Sequence, residues 1–217
     1  MADHPKFFPL SLKLQGRRVV VFGAGRVGLR KVRVLLEHGA DVLVVSPHVD
    51  PAIREWAEKG RLTLALREYA ESDLEDALLV FATTDDAAQN AEIARAARRR
   101  GRLVNVATDP DDCDFLTPAH LRRGHFSLVV ATDACSPALA GNLRQKLEEE
   151  YDAAWGETLE LLSEIRQWLQ VHVEDGSLRR RRLVELARSE LVDVVRRDGL
   201  LAARAALLRR LEEETER

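Results

Sequence analysis

The sequence has 217 residues, of which 46% are hydrophobic and 32% are charged, and its formal net charge is −3. These values are typical of a soluble globular protein with one large domain, or with one domain and an appendage. The charge gives no electrostatic basis for nucleic-acid binding, and no apolar run approaches the roughly 20 residues that a membrane span requires. The two cysteines, Cys113 and Cys135, exclude a disulfide framework and a four-cysteine zinc site. The N-terminus does not read as a signal peptide, so we expect a cytoplasmic protein.

A glycine-rich turn between a strand and a helix is the most informative local pattern. The apolar run 19–22 leads into Gly23-x-Gly25-x-x-Gly28, after which apolar residues recur at helical spacing. Strand, glycine turn and helix in this order are typical of the phosphate-binding start of a dinucleotide fold, where backbone amides at the helix N-terminus bind a diphosphate. The predicted diphosphate-binding residues are Gly23, Gly25, Arg26, Val27 and Gly28.

Strands and helices alternate through the first half of the chain. Apolar runs predict strands, and the amphipathic segments between them predict helices. The alternation implies an α/β fold with a Rossmann-type, doubly wound parallel sheet, and places a nucleotide across the carboxyl ends of the first and fourth strands. The predicted strands are 19–22, 41–46, 62–66, 77–82 and 103–107, and the helices after the first are 51–59, 72–76 and 87–100.

The pattern changes at about residue 108. An acidic, turn-rich loop at 109–114 precedes a predicted strand at 126–131, and Ser136 with Pro137 is a typical start for a helix that runs to residue 150. From residue 151 onward, apolar residues recur at helical spacing without a β run. We therefore predict three parts: a nucleotide-binding domain at 1–112, a middle segment at 113–150 and a small all-helical domain at 151–217.

Polar residues after the second and fourth strands are further candidates for cofactor contacts. A carboxylate at the end of the second strand would bind the adenosine ribose, but this chain has Ser46-Pro47-His48, and Asp50 is expected to cap the next helix. The sequence alone leaves NAD and NADP open, and Arg54 could favour the phosphate of NADP. Thr83 and Thr84 follow the fourth strand, where their hydroxyls would face the cofactor.

Four motifs occur in a fixed order along the first 150 residues. They are Gly23-Ala-Gly-Arg-Val-Gly-Leu-Arg-Lys31, Ala82-Thr-Thr-Asp-Asp86, Asn105-Val-Ala-Thr-Asp-Pro110 with Cys113-Asp-Phe115, and Ser136-Pro-Ala-Leu-Ala140. In this order they resemble the precorrin-2 dehydrogenase family, which includes the dehydrogenase–ferrochelatase halves of siroheme synthases. The resemblance is strong over about residues 5–150, whereas the tail resembles the family only in its helical character. It implies NAD-dependent oxidation of precorrin-2 to sirohydrochlorin by a homodimer whose middle segment forms the subunit interface.

The resemblance also directs attention to residues for the chemistry. Precorrin-2 must lose a hydride to a nicotinamide and a proton to a base or to solvent. The candidate catalytic residues are Asp109, Thr108 and Ser136, and Asn105 joins the cofactor contacts. The carboxylates of precorrin-2 need cations, although each cation in this segment could instead lie on a solvated face. The candidate substrate-binding residues are Arg122, Arg123, His125, Arg144 and Lys146.

One position departs from the family pattern. Members with chelatase activity usually carry an aspartate directly after Asn-Val-Val or Asn-Val-Ala, and this chain has Thr108 there. A threonine cannot accept a pyrrole proton or hold Fe²⁺ as a carboxylate can, and Asp109 could replace it only if the loop shifts. We therefore expect a dehydrogenase with weak or absent ferrochelatase activity, which leaves a role for a separate chelatase. The six histidines show no metal-ligand spacing, so we predict no permanent metal site.

Two other classes of protein remain as alternatives. One is an NAD-sensing regulatory domain of a transporter or another partner, which shares the strand–turn–helix start and dimerises. This chain lacks the acidic residue that usually closes the second strand of such modules, and that function would not explain the loops at 105–115 and 132–137. The other is a helical scaffold protein that uses a nucleotide only for structure.

Overall fold

The computed structural model describes residues 6–188 and 190–215. They form two compact units, divided between Thr117 and Pro118, and each unit is described by itself below. Within the described ranges, no helix combines the length and the apolar character that crossing a membrane would require.

The first unit is built on a five-stranded parallel sheet with the strand order β3-β2-β1-β4-β5. Because β1 lies between β2 and β4, the direction of strand addition reverses there, which confirms the predicted Rossmann-type, doubly wound sheet. The strands are β1 Arg18–Ala24, β2 Asp41–Val49, β3 Thr63–Ala65, β4 Leu79–Ala82 and β5 Leu103–Val106. The helices are α1 Arg26–Glu37, α2 Pro51–Glu58 and α3 Ala87–Arg99, with a 3-10 helix at Glu71–Leu74.

Both faces of this sheet are covered by helices. Successive side chains of a strand point to opposite faces, so that Phe22 packs with Ile93 of α3 on one side and Val21 packs with Val32 of α1 on the other. All four of these side chains are at most 1% exposed. The sheet is therefore fixed from both sides, and its carboxyl ends carry the turns that form the candidate site.

The second unit consists of a β-hairpin and helices. Its helical part confirms the prediction of an all-helical tail, and Leu161, Ile165 and Leu169 of one long helix are fully buried at its centre. The strands are β6 Ala119–Arg123 and β7 Phe126–Val130, paired antiparallel. The helices are α4 Pro137–Glu150, α5 Ala153–His172, α6 Gly176–Arg188, α7 Leu191–Asp198 and α8 Leu200–Thr215.

Strand β6 was not predicted. Its sequence, Ala119-His-Leu-Arg-Arg, contains one fully apolar buried side chain, Leu121, so it shows neither an apolar run nor a clear alternation. The strand forms because five residue pairs join it to β7. Pairing between strands, which a local pattern does not report, determines this element.

Candidate cofactor and reaction site

Two of the three motif glycines are required by close packing. Gly23 has a φ of +87°, and a Cβ atom added there would lie 2.6 Å from the carbonyl carbon of Thr83. A Cβ atom added to Gly28 would lie 2.1 Å from the carbonyl oxygen of Gly23. Neither position has room for a side chain unless the backbone shifts, so these two glycines let the turn lie against both α1 and the end of β4.

Gly25 has the opposite surroundings, because a Cβ atom added there would meet nothing within 4 Å. It is the N-cap residue of α1, and no side chain caps the helix or places an acidic group in its first turn. The first amide groups of a helix have no intrahelical acceptors, and the helix dipole adds partial positive charge. With Arg26 and Val27 exposed beside it, this N-terminus fits the diphosphate of a dinucleotide.

Thr83 holds the turn together from the adjacent strand. Its backbone N–H donates to the carbonyl of Phe22 at 2.8 Å. Its hydroxyl lies 2.8 Å from the carbonyl oxygen of Phe22 and 2.9 Å from that of Gly23, and it can donate a hydrogen bond to either oxygen. The side chain is only 7% exposed. The structure therefore assigns Thr83 a role in shaping the turn, and its direct contact with a cofactor stays a prediction.

Asn90 organises the residues that follow β4, and the sequence analysis missed it. It is fully buried in α3. Its Oδ1 accepts from the N–H and the hydroxyl of Thr84, at 3.1 and 2.8 Å. Its Nδ2 donates to the carbonyl of Thr84 at 3.1 Å and to Oγ1 of Thr108 at 3.4 Å. The available signal was an amide on the apolar face of α3, three positions before Ile93.

The end of β2 presents a mixture of buried and exposed groups. Ser46 is buried, and its hydroxyl donates to the carbonyl of His48 at 2.6 Å. Pro47 and His48 are exposed. Asp50 is the N-cap residue of α2, as predicted, and its carboxylate accepts from the N–H of Ala52 at 2.9 Å.

The 107–117 loop follows β5 and folds back along it. Asn105, on β5 and buried, donates from Nδ2 to the carbonyl of Phe115 at 3.0 Å. The N–H of Asp114 donates to the carbonyl of Val104 at 2.8 Å, and the N–H of Val104 donates to the Asp114 carboxylate at 3.0 Å. Asn105 was predicted to contact the cofactor. What the structure shows is that its amide holds this loop, so the cofactor contact stays a prediction.

Arg98 of α3 ties the same loop from the other side. Its guanidinium donates to the Asp114 carboxylate at 2.9 Å and to the carbonyl of Asp112 at 2.7 Å. It also pairs with the Asp112 carboxylate at 2.5 Å. Hydrogen bonding to Asp112, and then to Asp114, raises the pKa of Arg98 against the opposing effect of burial. The loop is therefore attached both to β5 and to α3.

Thr108 and Asp109 lie on the exposed part of this loop. Oγ1 of Thr108 accepts from Asn90, and a carboxylate oxygen of Asp109 accepts from the N–H of Asp111 at 3.0 Å. The latter bond is the turn role that an aspartate before a proline commonly has. Both side chains are exposed, and their catalytic roles stay predictions.

Lys31 of α1 reaches the far end of this loop. Its ammonium donates to Oγ1 of Thr117 and lies 5.6 Å from the ring centroid of Phe81. Burial, followed by the neighbouring charge of Arg30, lowers the pKa of Lys31 to about 8. Burial also raises the pKa of the Cys113 thiol.

The remaining predicted residues belong to the second unit. Ser136 is the N-cap residue of α4, as predicted, and its hydroxyl accepts from the N–H of Leu139 at 3.3 Å. The candidate cations lie at the β6–β7 hairpin end (Arg122, Arg123 and His125) and on α4 (Arg144 and Lys146).

These cations differ in how far they are already engaged. Arg122 donates to the carbonyl of Gly124 at 2.8 Å, and Arg144 pairs with Glu148 at 2.7 Å. His125 and Lys146 are exposed. Their binding of substrate stays a prediction. In the described part of the chain, no three His, Cys, Asp or Glu side chains are grouped as a metal site would need.

A family model described as "Putative NAD(P)-binding" matches residues 10–119, more than half of the chain. The chain belongs to this family. The matched range contains the glycine turn, Asn90 and the 107–117 loop.

Similarity to individual proteins extends over nearly the whole chain. A siroheme synthase of Chromobacterium violaceum is 35% identical over 206 residues, covering 95% of this chain and 44% of that protein. A siroheme synthase of Pseudomonas aeruginosa is 36% identical over 208 residues, covering 96% of this chain and 44% of that protein. The chain thus spans less than half the length of these relatives. A solved structure of SirC, a precorrin-2 dehydrogenase, has a TM-score of 0.77 and 26% identity, covering 95% of this chain and 100% of that one.

Proposed function

We propose that this NAD(P)-binding protein oxidises precorrin-2 to sirohydrochlorin with NAD as the hydride acceptor. The similarity to SirC carries the proposal, because it extends over the full length of a precorrin-2 dehydrogenase. The geometry of the first unit agrees with it. An uncapped helix N-terminus lies at the carboxyl end of β1, and a firmly attached loop with exposed polar side chains follows β5.

Positioning is the main contribution of this chain to such a reaction. Bound NAD supplies the acceptor for the hydride, and the first turn of α1 binds its diphosphate. Thr83 and Asn90 fix the backbone around that turn and around Thr84. Asp109 is exposed and is our candidate to receive the proton, with Thr108 beside it. Hydride transfer depends on the alignment of donor and acceptor, so fixed geometry matters more here than acid–base strength.

The preference for NAD over NADP rests on the family resemblance. At the end of β2, Pro47 and His48 are the exposed residues, and Asp50 is already engaged as a helix cap. Titration of the protein with each dinucleotide by calorimetry tests this preference, and tighter binding of NADP would contradict it.

We further propose that the protein acts as a homodimer through the middle segment. Leu139 and Leu143 lie one turn apart on α4 and are 51% and 39% exposed, and Val129 on β7 is 61% exposed. Exposed apolar side chains that form a contiguous patch mark interaction surfaces, and we propose that these three belong to the subunit interface. The cations of the hairpin and α4 belong to the same segment, so we propose that it also receives the substrate carboxylates.

The cellular setting follows from the same proposal. We propose a cytoplasmic enzyme with no nucleic-acid or membrane partner, whose product passes to a separate chelatase because Thr108 lacks a carboxylate. In functional terms the chain divides into cofactor, dimerisation and helical parts at 1–112, 113–150 and 151–217.

A direct assay decides the proposed function. The purified protein is incubated with precorrin-2 and NAD under anaerobic conditions, and sirohydrochlorin is followed by its absorbance, with NADP in a parallel reaction. We expect product with NAD and none without a dinucleotide. No product with either dinucleotide would remove the enzyme proposal. Retained NAD binding in that case would favour the NAD-sensing alternative.

A further inference from the structure

Helix α1 carries two residues that bear on the proposed function, at different positions along its axis. Its N-cap residue, Gly25, opens to solvent where a diphosphate would bind. Six residues later, about 9 Å along the helix axis, Lys31 donates to the hydroxyl of Thr117. Thr117 is the last residue of the 107–117 loop, 86 positions away in the chain. One rigid helix therefore contacts both the proposed cofactor site and the loop that carries Thr108 and Asp109.

The surroundings of the Lys31 ammonium differ from those of a solvent-exposed lysine. The side chain is half-buried, its amine lies over the ring of Phe81, and its neighbours include Arg30 and the thiol of Cys113. Within the described ranges, no carboxylate lies at ion-pair distance from it. Partial burial without a negative partner disfavours the charged form, which agrees with its lowered pKa. The amine is instead stabilised by its hydrogen bond to the Thr117 hydroxyl and by its position over the Phe81 ring.

We propose that Lys31 is a positioning residue, which fixes the end of the 107–117 loop to helix α1 and so sets Thr108 and Asp109 relative to the bound dinucleotide. The loop is also attached to α3 by Arg98 and to β5 by Asn105. Lys31 adds the attachment to the helix that holds the cofactor. The effect on catalysis rests on the proposed function, whereas the effect on the loop does not.

The test uses the full chain with Lys31→Met, Thr117→Val and the double variant. Methionine keeps much of the apolar stem and removes the amine, and valine removes the hydroxyl. We expect amide hydrogen exchange in residues 107–117 to quicken about tenfold in each single variant. We expect kcat for precorrin-2 oxidation to fall about tenfold, with the NAD dissociation constant changed by no more than about twofold. The double variant should resemble the singles, because both remove the same contact.

Two controls separate this role from a general structural one. Lys59→Met, at the exposed end of α2, should leave both exchange and kcat unchanged. Lys31→Arg keeps a charged donor and should restore part of kcat. Unchanged exchange in Lys31→Met, additive losses in the double variant, or a parallel loss of NAD affinity would each overturn the proposal. If the wild-type protein forms no product, the proposed function fails, and the exchange measurements still decide the loop contact.

Discussion

Gly25 and Gly28 lie three residues apart in the same turn and illustrate two different demands on a glycine. Gly28 is needed because the carbonyl of Gly23 occupies the place of a side chain, which is a requirement of the fold. Gly25 has free space around it, so the fold alone does not require a glycine there. We propose that a diphosphate approaches the backbone at Gly25, because a helix N-terminus favours this group.

Gly25→Asp tests this interpretation at the cofactor site. We expect NAD affinity to fall at least about 100-fold, because a carboxylate would occupy the place of the diphosphate and repel it. Calorimetry measures the affinity, and thermal unfolding checks the fold. Gly25→Ala is the matched control, since its methyl group meets no protein atom within 4 Å and it carries no charge. Unchanged NAD affinity in Gly25→Asp would show that the dinucleotide binds elsewhere.

Asn90→Ala should lower the free energy of unfolding by about 2–3 kcal/mol, because it leaves the half-buried N–H and carbonyl of Thr84 without the partners that Asn90 supplies. Urea denaturation measures this change. Gln89→Ala is the control, because it removes a side-chain amide whose hydrogen bond to the Glu68 carboxylate is long, at 3.4 Å. We expect Gln89→Ala to change stability by less than about 0.5 kcal/mol. Equal effects of the two substitutions would show that Asn90 does not organise the turn.

Thr108→Asp tests the expected weakness in iron insertion. The side chain at this position is exposed, so a carboxylate can be introduced without a burial cost. If this position supplies the missing proton acceptor, the rate of Fe²⁺ insertion into sirohydrochlorin should rise about tenfold or more. Siroheme absorbance measures the rate, and Thr108→Asn controls for size without charge. A rate no higher in the aspartate variant than in the asparagine variant would contradict the chelatase interpretation.

The titration of Lys31 predicts how stability depends on pH. Its pKa is lowered from 10.5 to about 8 in the folded protein, so between these values the unfolded chain binds more protons than the folded one. The contribution of this lysine to the free energy of unfolding must therefore rise with pH over that window.

Urea unfolding of the wild type and of Lys31→Met, measured between about pH 7 and about pH 10, checks this sign. The wild-type stability minus that of the variant should increase with pH. Lys31→Arg stays charged over the whole range, so the same difference taken against it should show a similar rise. A flat difference against both variants would mean that Lys31 is not desolvated as described.

At the scale of elements, the 107–117 loop is the feature that most affects the proposed chemistry. A loop of this length is commonly mobile. This one is bonded to β5 through Asp114 and Asn105 and to α3 through Arg98. Its exposed residues therefore have few backbone states to lose when a ligand binds, which is the condition for accurate positioning.

The sequence predicted the elements that have a local signal. The apolar runs of the sheet, the glycine turn and the Ser136-Pro137 helix start each depend on neighbouring residues, and each was predicted correctly. Strand β6 and the return of the 107–117 loop along β5 were not predicted, because they depend on pairing with particular residues 3 to 11 positions away.

Side-chain orientation in the candidate site was harder to predict than position in the fold. The sequence placed Thr83 and Asn105 correctly at strand ends, yet their side chains donate hydrogen bonds to backbone carbonyls of the protein. Asn90 and Lys31 were not singled out as site residues, because a single polar residue in an amphipathic helix does not show whether its partner is solvent or a distant loop. Those contacts span 18 and 86 residues of the chain.

At the scale of the whole molecule, self-association is the property most open to measurement. Replacing both Leu139 and Leu143 by glutamate should convert a dimer to monomers, because charges would enter the proposed apolar interface. Analytical ultracentrifugation reports the mass. Val171→Glu is the control, since Val171 is 79% exposed on α5 outside the proposed interface. A dimer that persists in the double variant would place the interface elsewhere, and a wild-type monomer would remove the proposal.

The attachments of the 107–117 loop have one property in common. Asn90, Arg98, Val104, Asn105 and Lys31 all precede Pro118, where the second unit begins. The bonds that attach the 107–117 loop to β5, α3 and α1 are thus all made by residues of the first unit. Substitutions in the hairpin or the helices of the second unit can therefore change that unit without removing any residue that makes these bonds.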